Sequence, residues 1–408
     1  MIGPFLQLGA VMAGMFILQA GNGLLATFLA LRMTLEQFPT PVIGLVASGY
    51  PLGFLVSCLV AGRLIRSVGH IRAFAACAAV QCCATLAFTL FAHPAWWLPL
   101  RFATGLSAAG LFMVGESWLN ERTPTAVRGK VFAIYMISNM TAVSGSQLLL
   151  GLADPIGPAF FMIAAALFSA CLIPVALTRA SAPTLPHVSA LTLTRLYRVS
   201  PLAVVGCISA GLVNAALGNV GAVYATLIGL APATVGVFMA VLMLGGLLLQ
   251  WPIGRLSDRL DRRHVLLGVT LSMLALALVI ASFGGESRHV LVGLAALYGG
   301  LAYAVYPLCV THASDHADRS QMVSVSSGLL LSWSAGAIAG PPLATLAMTA
   351  IGAPGLFFYG AIVSFCLSSF ILYRMTRRGP VPAEQAAPFV AQRETTPVAA
   401  GLDPRAET

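Results

Sequence analysis

The sequence predicts an all-α polytopic membrane protein whose twelve transmembrane helices form two pseudo-symmetric six-helix bundles. Of its 408 residues, 58% are hydrophobic and 9% are charged. An ordinary soluble domain carries about 25% charged residues, so lipid is the expected solvent. A repeat indicates the two bundles, as expected of a duplicated membrane half. The repeated positions, 192 residues apart, are Gly44, Gly53 and Gly62-Arg63-Leu64, then Gly236, Gly245 and Gly254-Arg255-Leu256.

Twelve stretches are long enough to cross a bilayer, since a spanning helix needs about 20 mostly apolar residues. The predicted spans 1 to 12 are Pro4–Leu31, Pro41–Leu64, Ile71–Ala92, Trp96–Trp118, Val131–Leu152, Pro158–Leu177, Pro201–Leu227, Thr234–Leu256, His264–Phe283, Val290–Val310, Met322–Met348 and Gly355–Tyr373. The first is expected to be retained, because it exceeds the apolar core of about 7–15 residues of a signal peptide. Proline or glycine marks most turns between spans.

Basic residues predict the orientation, because Lys and Arg concentrate in cytoplasmic loops. With the N-terminus in the cytoplasm, most of the basic residues between spans also lie there. Arg32 and Arg288 then lie outside, and Arg101 lies near the outer surface. The opposite orientation reverses this asymmetry. Both termini are therefore predicted to be cytoplasmic in a bacterial inner (plasma) membrane, with membrane lipid as a partner.

Four segments are expected along the chain. Residues 1–177 form the N-terminal six-helix bundle, and residues 201–376 form the C-terminal one. Residues 178–200 are the longest internal polar stretch and are predicted to be a cytoplasmic linker. Residues 377–408 are rich in Pro, Ala, Glu and Thr and show no apolar period, so they are predicted to be a disordered cytoplasmic tail.

Composition and motifs disfavour several classes of function. The formal net charge of +9 is spread over separate loops rather than gathered on one face, so nucleic-acid binding is not expected. The eight cysteines lie in apolar stretches without metal-ligand spacing and are expected to pack as small hydrophobes. The sequence contains no phosphate-binding G-x-x-x-x-G-K-S/T loop. No cofactor and no metal are therefore predicted.

The loops after spans 2 and 8 share a recognisable pattern. Residues 254–263 match G-x-x-x-D-R/K-x-G-R/K-R/K, departing from it at Asp261, where the pattern has glycine. The matching positions are Gly254, Asp258, Arg259, Arg262 and Arg263. The first copy keeps Gly62 and Gly69 but has Arg66 at the acidic position. With two six-span halves and a central linker, the chain resembles the major facilitator superfamily from Pro4 to Tyr373.

Three further runs resemble the uncharacterised YcaD-type branch of that superfamily. They are residues 250–258, Glu116-Ser117, and residues 329–332 followed by Gly340-Pro341. The resemblance implies a secondary active transporter that moves a small organic solute by alternating access, coupled to H⁺ and acting as a monomer. The alternative with the same fold is an efflux pump for drugs or metabolites. The resemblance supplies no substrate.

The loop after span 8 is predicted to act as a latch. Asp258 can accept hydrogen bonds from the N–H groups that begin span 11 and favour the positive end of that helix dipole. Arg259, Arg262 and Arg263 can pair with Asp258, Asp261 or anionic headgroups. Gly62, Arg66 and Gly69 are the corresponding positions of the first copy. The alternative is that the basic cluster only fixes topology.

Two charged residues within the spans are candidates for proton coupling, because a charge at bilayer depth costs about 2.5–3.5 kcal/mol. Arg101 begins an Arg-x-x-x-Gly run that resembles a superfamily motif associated with coupling; otherwise it is a snorkelling interfacial arginine. Glu116 lies about 22 Å further along the same helix. It either exchanges a proton as access alternates or serves as a structural partner for Arg122 or Arg128.

Cavities of the superfamily are lined mainly by spans 1, 4, 7 and 10, with help from 2, 5, 8 and 11. On those spans the candidate cavity residues are Gln19, Asn22, Tyr50, Tyr135, Asn139, Gln147, Asn214, Asn219, Tyr224, Tyr298, Tyr303 and Tyr306. Aromatic walls with uncharged amides suit a neutral or amphipathic solute, and a di-anion would need more arginines than Arg101 alone. Each candidate can instead hydrogen-bond between helices.

An enzyme is not predicted. A membrane-embedded metal-dependent enzyme, the alternative from another class, needs clustered ligands, and His312, Asp315 and His316 come closest. The two histidines are four residues apart and can share a helix face. Their position beside Asp318 and Arg319 favours a solvated loop, so neither a metal site nor a catalytic residue is predicted.

Overall fold

The computed structural model describes residues 2–124, 127–177, 193–284, 287–317, 322–377, 379, 388–392 and 394–402. The regular structure of these residues is helical. The α-helices are α1 Ile2–Leu35, α2 Thr40–Val68, α3 His70–Ala87, α4 Pro94–Arg122, α5 Arg128–Gln147, α6 Ala159–Ala170, α7 Leu172–Ala176, α8 Leu193–Val199, α9 Pro201–Leu227, α10 Pro232–Arg259, α11 Arg262–Phe283, α12 Arg288–Ser314, α13 Met322–Ile351 and α14 Gly355–Arg377. Leu148–Gly151 and Pro397–Leu402 are 3₁₀ turns.

Spans 1 to 5 correspond to α1 to α5, span 6 to α6 and α7 together, and spans 7 to 12 to α9 to α14. Within the described residues, eleven of these twelve are long and apolar enough to cross a membrane. The exception is α5, which begins with Arg128 and Lys130 and includes Asn139 and Gln147. It packs against α1 and α10 inside the bundle. The predicted all-helical polytopic fold is confirmed.

Two spans and the linker differ in extent from the prediction. Span 6 breaks at Cys171, because Pro174 has no N–H to donate to the carbonyl of Ala170. Span 3 ends at Ala87, whose carbonyl accepts hydrogen bonds from the Leu90 N–H at 3.2 Å and from the Trp96 indole at 2.8 Å. In the linker, Leu193–Val199 forms α8, and residues 178–192 lie outside the described residues.

One pair of repeated glycines marks a close helix contact inside each half. Gly53 in α2 lies against the carbonyl of Phe102 in α4. Its repeat, Gly245 in α10, lies against the carbonyl of Ala296 in α12. A Cβ atom at either glycine would overlap that oxygen. The duplication therefore preserves the same glycine-dependent contact in both halves.

A second pair of repeated glycines joins the two halves. Gly44, near the start of α2, lies against Pro341 of α13, and Gly236, near the start of α10, lies against the carbonyl of Gln147 at the end of α5. Both contacts are at the end of the bundle away from the α2–α3 and α10–α11 loops. We call this end the closed end, and the end with those two basic loops the basic end.

The C-terminal segment, which we define as residues 388–392 and 394–402, lies within the predicted tail and packs against the helices. Its 3₁₀ turn packs at the basic end against α4 and α5 of the first half and α13 of the second. Gln392, Thr396 and Val398 are buried. A search for an apolar period does not detect contacts of this kind, because hydrogen bonds to α4, α9 and α10 hold the segment.

Candidate functional site

A cavity between the two halves is the candidate functional site. It encloses about 1030 Å³ of space free of protein atoms, part of it open to solvent. Helices α1, α2, α4 and α5 supply one wall, and α9, α10, α12 and α13 supply the other. Its polar and large lining residues are Gln19, Asn22, Tyr50, Phe54, Arg101, Phe112, Asn214, Asn219, Met243, Tyr303, Trp333 and Ser334, with Glu394 and Thr395 of the C-terminal segment.

Among the described residues that line the cavity, Arg101 is the one with a basic side chain. It is 3% exposed, and its guanidinium carbon lies 4.6 Å from the centre of the Tyr50 ring. Its Nη2 donates to Asn219 Oδ1 at 3.0 Å, which links α4 of the first half to α9 of the second. Among the described residues it has no carboxylate within ion-pair distance. The snorkelling alternative is therefore corrected: the side chain faces the cavity rather than the membrane surface.

A chain of hydrogen bonds runs from the cavity wall into the first half. Asn22 Nδ2 donates to Gln19 Oε1 at 3.4 Å, and Gln81 Nε2 donates to Asn22 Oδ1 at 3.1 Å. Ser107 Oγ in turn donates to Gln81 Oε1. Gln81 and Ser107 were missed by the sequence analysis. Gln81 lies in α3, which is not among the expected lining spans, and the candidates in α4 did not include serines. A glutamine inside an apolar helix was the available signal.

Two polar atoms on the helices of the cavity wall have no hydrogen-bond partner within the described part of the chain. They are the indole nitrogen of Trp333 and the side-chain oxygen of Asn214. Trp333 was also missed, since the candidates were limited to amides and tyrosines. A buried donor or acceptor left without a partner costs about 1–3 kcal/mol. A solute carrying one acceptor and one donor can satisfy both atoms.

Six predicted cavity residues lie elsewhere. Gln147 Nε2 donates to the Gly23 carbonyl at 3.1 Å, and Tyr224 packs against Phe238 and Phe357. Tyr298 packs against Phe357 inside the second half. Asn139 is fully buried in α5, without a partner in the residues that the structure describes. Tyr135 is bonded to Glu116 (described next), and Tyr306 lines a small pocket beside the C-terminal segment. The sequence did not separate these six from the residues that line the cavity, because helices that are apolar on most sides do not reveal which face meets it.

Glu116 is fully buried in α4, nearer the basic end than Arg101. Its carboxylate accepts a hydrogen bond from Tyr135 Oη at 3.0 Å and another from the Thr396 hydroxyl. In the described residues no arginine is bonded to it, so the alternative of a structural pairing with Arg122 or Arg128 is not seen there. The bond to Thr396 ties the first half to the C-terminal segment.

The second copy of the repeated loop forms ion pairs within the second half. Arg263 Nη2 lies 2.7 Å from Asp261 Oδ2, and Arg262 Nη1 lies 3.6 Å from Asp258 Oδ1. Arg262 Nε also donates to Asp315 Oδ2 at 2.6 Å. Arg262 thereby connects α11 to the end of α12. A separation of 53 residues hid Asp315 as a partner from the sequence analysis.

The described residues do not test the predicted latch between Asp258 and the start of span 11. Asp258 Oδ1 accepts a hydrogen bond from the backbone N–H of Phe389 at 2.8 Å, while Arg259 is exposed. Residues 318–321, which precede α13, lie outside the described residues. The latch between Asp258 and the start of span 11 therefore stays a prediction.

The first copy of the loop is held by backbone geometry. Gly69 has a φ of 85° and separates α2 from α3, a left-handed conformation that favours glycine. Arg66 is exposed, and its guanidinium lies beside Gly62. The two copies thus differ: paired charges hold one, and a glycine turn holds the other.

Asp261, the departure from the family pattern, caps α11: its Oδ1 accepts from the Arg263 N–H at 3.0 Å. Burial alone would raise the pKa of Asp261, but the hydrogen bonds and charge of Arg263 outweigh burial and hold the pKa below its usual value. The stabilisation is therefore present at neutral pH and is lost as pH falls through that lowered pKa.

We expect Asp261→Ala to destabilise the protein by about 1 kcal/mol at neutral pH, because cap and ion pair are lost together. The midpoint of thermal unfolding in detergent measures this. Asp261→Asn serves as the control, since it keeps the cap without the charge. An unaltered midpoint in Asp261→Ala would contradict the assignment.

His312, Asp315 and His316 do not form the metal site considered as an alternative. The Asp315 side chain is 3% exposed and committed to Arg262, and His316 Nδ1 lies 2.9 Å from the backbone oxygen of His312. Within the described ranges no group of three or more His, Cys, Asp or Glu is placed to hold a metal ion. The loop interpretation expected Asp315 to be solvated. Instead, Asp315 forms a buried ion pair with Arg262.

Comparison with known sequences gives a consistent family. The chain matches the Major Facilitator Superfamily over residues 11–230 and again over 202–402. It is 26% identical over 384 residues to the uncharacterized MFS-type transporter YE1530 of Yersinia enterocolitica, covering 93% of this chain and 97% of the relative. It is also 26% identical over 374 residues to the uncharacterized MFS-type transporter YcaD of Escherichia coli, covering 91% and 96%.

Solved structures share the fold. The nucleoside transporter NupG superposes with a TM-score of 0.71 at 13% identity, covering 91% of this chain and 100% of that one. A bacterial homolog of the human lysosomal transporter Spinster, inward-facing and occupied, gives a TM-score of 0.72 at 15% identity, covering 93% and 97%. At these identities the likeness is one of fold alone.

Proposed function

The chain belongs to the major facilitator superfamily, and we propose that it is a secondary active transporter moving a small organic solute across a bacterial inner membrane by alternating access. The cavity between the two halves carries the proposal. Contacts at Gly44 and Gly236 seal it at the closed end. We assign the basic end to the cytoplasm, because Lys and Arg concentrate on that side. The cavity then faces the inside of the cell in this conformation.

The chemistry of the cavity wall supports a neutral or amphipathic solute with at most one negative charge. Among the described lining residues, Arg101 is the basic one, and the aromatic rings and amides around it are uncharged. The free donor of Trp333 and the free acceptor of Asn214 favour a solute with complementary polar groups. A thermal-shift screen of purified protein against metabolites and drugs identifies such solutes. Stabilisation by none of them, with no flux in proteoliposomes, would argue against transport.

We further propose that Arg101 and Glu116 take part in proton coupling. Arg101 lines the cavity, and Glu116 is a buried carboxyl in the same helix, bonded to neutral hydroxyls. A carboxyl at that depth can exchange a proton when the cavity opens to either side in turn.

Glu116→Gln is expected to abolish accumulation driven by a pH gradient while leaving solute exchange intact, because the amide cannot carry the proton. The measurement is flux of a solute from the thermal-shift screen, in proteoliposomes with and without the gradient. Glu121→Gln is the matched control, since that residue lies in the same helix but is exposed. Gradient-driven accumulation that survives in Glu116→Gln would rule out this role.

A further inference from the structure

The C-terminal segment enters the cavity at the basic end, which we therefore also call the open end of the cavity. Its first contacts are made there. The ring of Phe389 covers Gly254 in α10, at a position where a Cβ would overlap the ring. The backbone N–H of Phe389 donates to Asp258 one helical turn further on. The repeated loop of the second half thus provides both an apolar and a polar contact for one residue of the segment.

Deeper in, the segment reaches the residues assigned to solute binding and coupling. Glu394 Oε1 accepts from Asn214 Nδ2 at 3.2 Å, and Glu394 lines the same cavity as Arg101. Among the described lining residues, Arg101 is the basic one and Glu394 the acidic one. Thr396 then donates to the Glu116 carboxylate. The segment therefore places a carboxylate at the proposed solute-binding site and a hydroxyl at the proposed proton-exchange residue.

The segment also stands between the two halves. Its 3₁₀ turn packs against α4 and α5 on one side and α13 on the other, and Val398 and Ala399 are buried there. Alternating access requires the basic end to close by approach of these helices. A packed segment between them prevents that approach as well as the entry of solute.

We propose that the open end of the cavity is a docking site for the chain's own C-terminal segment, which acts as a tethered plug. The site recognises an extended segment with an aromatic residue, a carboxylate five positions later and a hydroxyl two positions after that: Phe389, Glu394 and Thr396. Solute enters only after the segment has left. The blocking role rests on the proposed transport function, whereas the docking itself does not.

Disulfide trapping tests the docking. An ideal Cβ on Gly254 lies 2.9 Å from Phe389 Cγ. Because Cγ is one bond from the Cβ of Phe389, the two Cβ atoms are at most about 4.4 Å apart, and a disulfide bridges Cβ atoms about 3.5–4.5 Å apart. Gly254→Cys with Phe389→Cys is expected to form the bond under mild oxidation, detected by mass spectrometry of the linked peptides. Gly62→Cys with Phe389→Cys is the matched control, because Gly62 is the repeat of Gly254 in the other half. Equal linkage in both pairs, or none in the first, overturns the docking.

Access to the cavity tests the plug. With Gly218→Cys at the cavity wall, labelling by a membrane-impermeant maleimide from the basic end is expected to speed up at least about tenfold when Phe389→Ala and Thr396→Val are added. The parent chain has eight cysteines that can also react, so its labelling rate is measured separately and subtracted from that of each variant. Phe365→Ala is the control, at a ring 61% exposed on α14. An unchanged rate overturns the plug.

The two readouts do not depend on transport. If linkage and labelling behave as expected but no solute moves in proteoliposomes even with Phe389→Ala and Thr396→Val, the docking stands and the transport proposal fails. If solute moves at the same rate with the segment linked to position 254 as without the link, the blocking role fails and transport stands.

Discussion

Arg101→Met is expected to lower solute flux at least about tenfold while leaving the folded protein intact. The guanidinium bonds Asn219 across the two halves and is the basic group of the described cavity wall. A solute with an acceptor or a negative charge loses its strongest partner when this group is removed. Stability is not expected to fall, because a buried cation without a carboxylate partner is costly to keep.

Two measurements separate these effects. Flux in proteoliposomes and the solute-induced thermal shift should both decline, while the unfolding midpoint of the solute-free protein stays level or rises. Arg377→Met is the matched control, because Arg377 is exposed at the end of α14, beside the Tyr373 ring. Wild-type flux and solute binding in Arg101→Met would remove Arg101 from the site.

Gly245→Leu is expected to have the largest effect on folding. A Cβ at this position already overlaps the carbonyl of Ala296, and the backbone nitrogen of Gly300 lies 3.1 Å from it. Backbone atoms cannot move aside as a flexible side chain can, so α10 and α12 must separate. Overpacking of this kind costs about 1–3 kcal/mol, and often more when backbone is involved.

The yield of monodisperse protein and its unfolding midpoint measure this loss. Gly268→Leu makes the same change in α11, where nothing lies within 4 Å of the added Cβ, and should behave like the parent chain. Gly53→Leu, at the repeated position, should match Gly245→Leu because the same contact occurs in the first half. A normal midpoint in Gly245→Leu would show that the halves tolerate a wider helix separation.

The fold was predictable because it depends on quantities that the sequence displays directly. Long apolar runs give the helices, and the constant offset between Gly44 and Gly236 gives the two halves. The structure adds a reason for that offset: Gly44, Gly53, Gly236 and Gly245 each meet a backbone atom of a neighbouring helix. Even the break in span 6 could have been read from Pro174.

The candidate site was predictable only in part. Gln19, Asn22, Asn214 and Tyr303 line the cavity, whereas Tyr298 does not. All are polar residues in apolar helices. Lipid and the protein interior are both apolar, so the period of the apolar residues does not show which face of a helix meets the cavity. Apolar pattern also fails for the C-terminal segment, since its anchors are single hydrogen bonds to residues far away in the sequence.

The two ends of the bundle differ in the charge of their surfaces. Glycine and proline surfaces, which carry no charge, meet at the closed end, whereas the basic end contains Asp258 and its arginine neighbours, with the Asp258 side chain 40% exposed. Salt screens exposed charges over about 8–10 Å but does not act on shape. If access alternates as proposed, ionic strength should shift the balance between the two orientations rather than slow both movements alike.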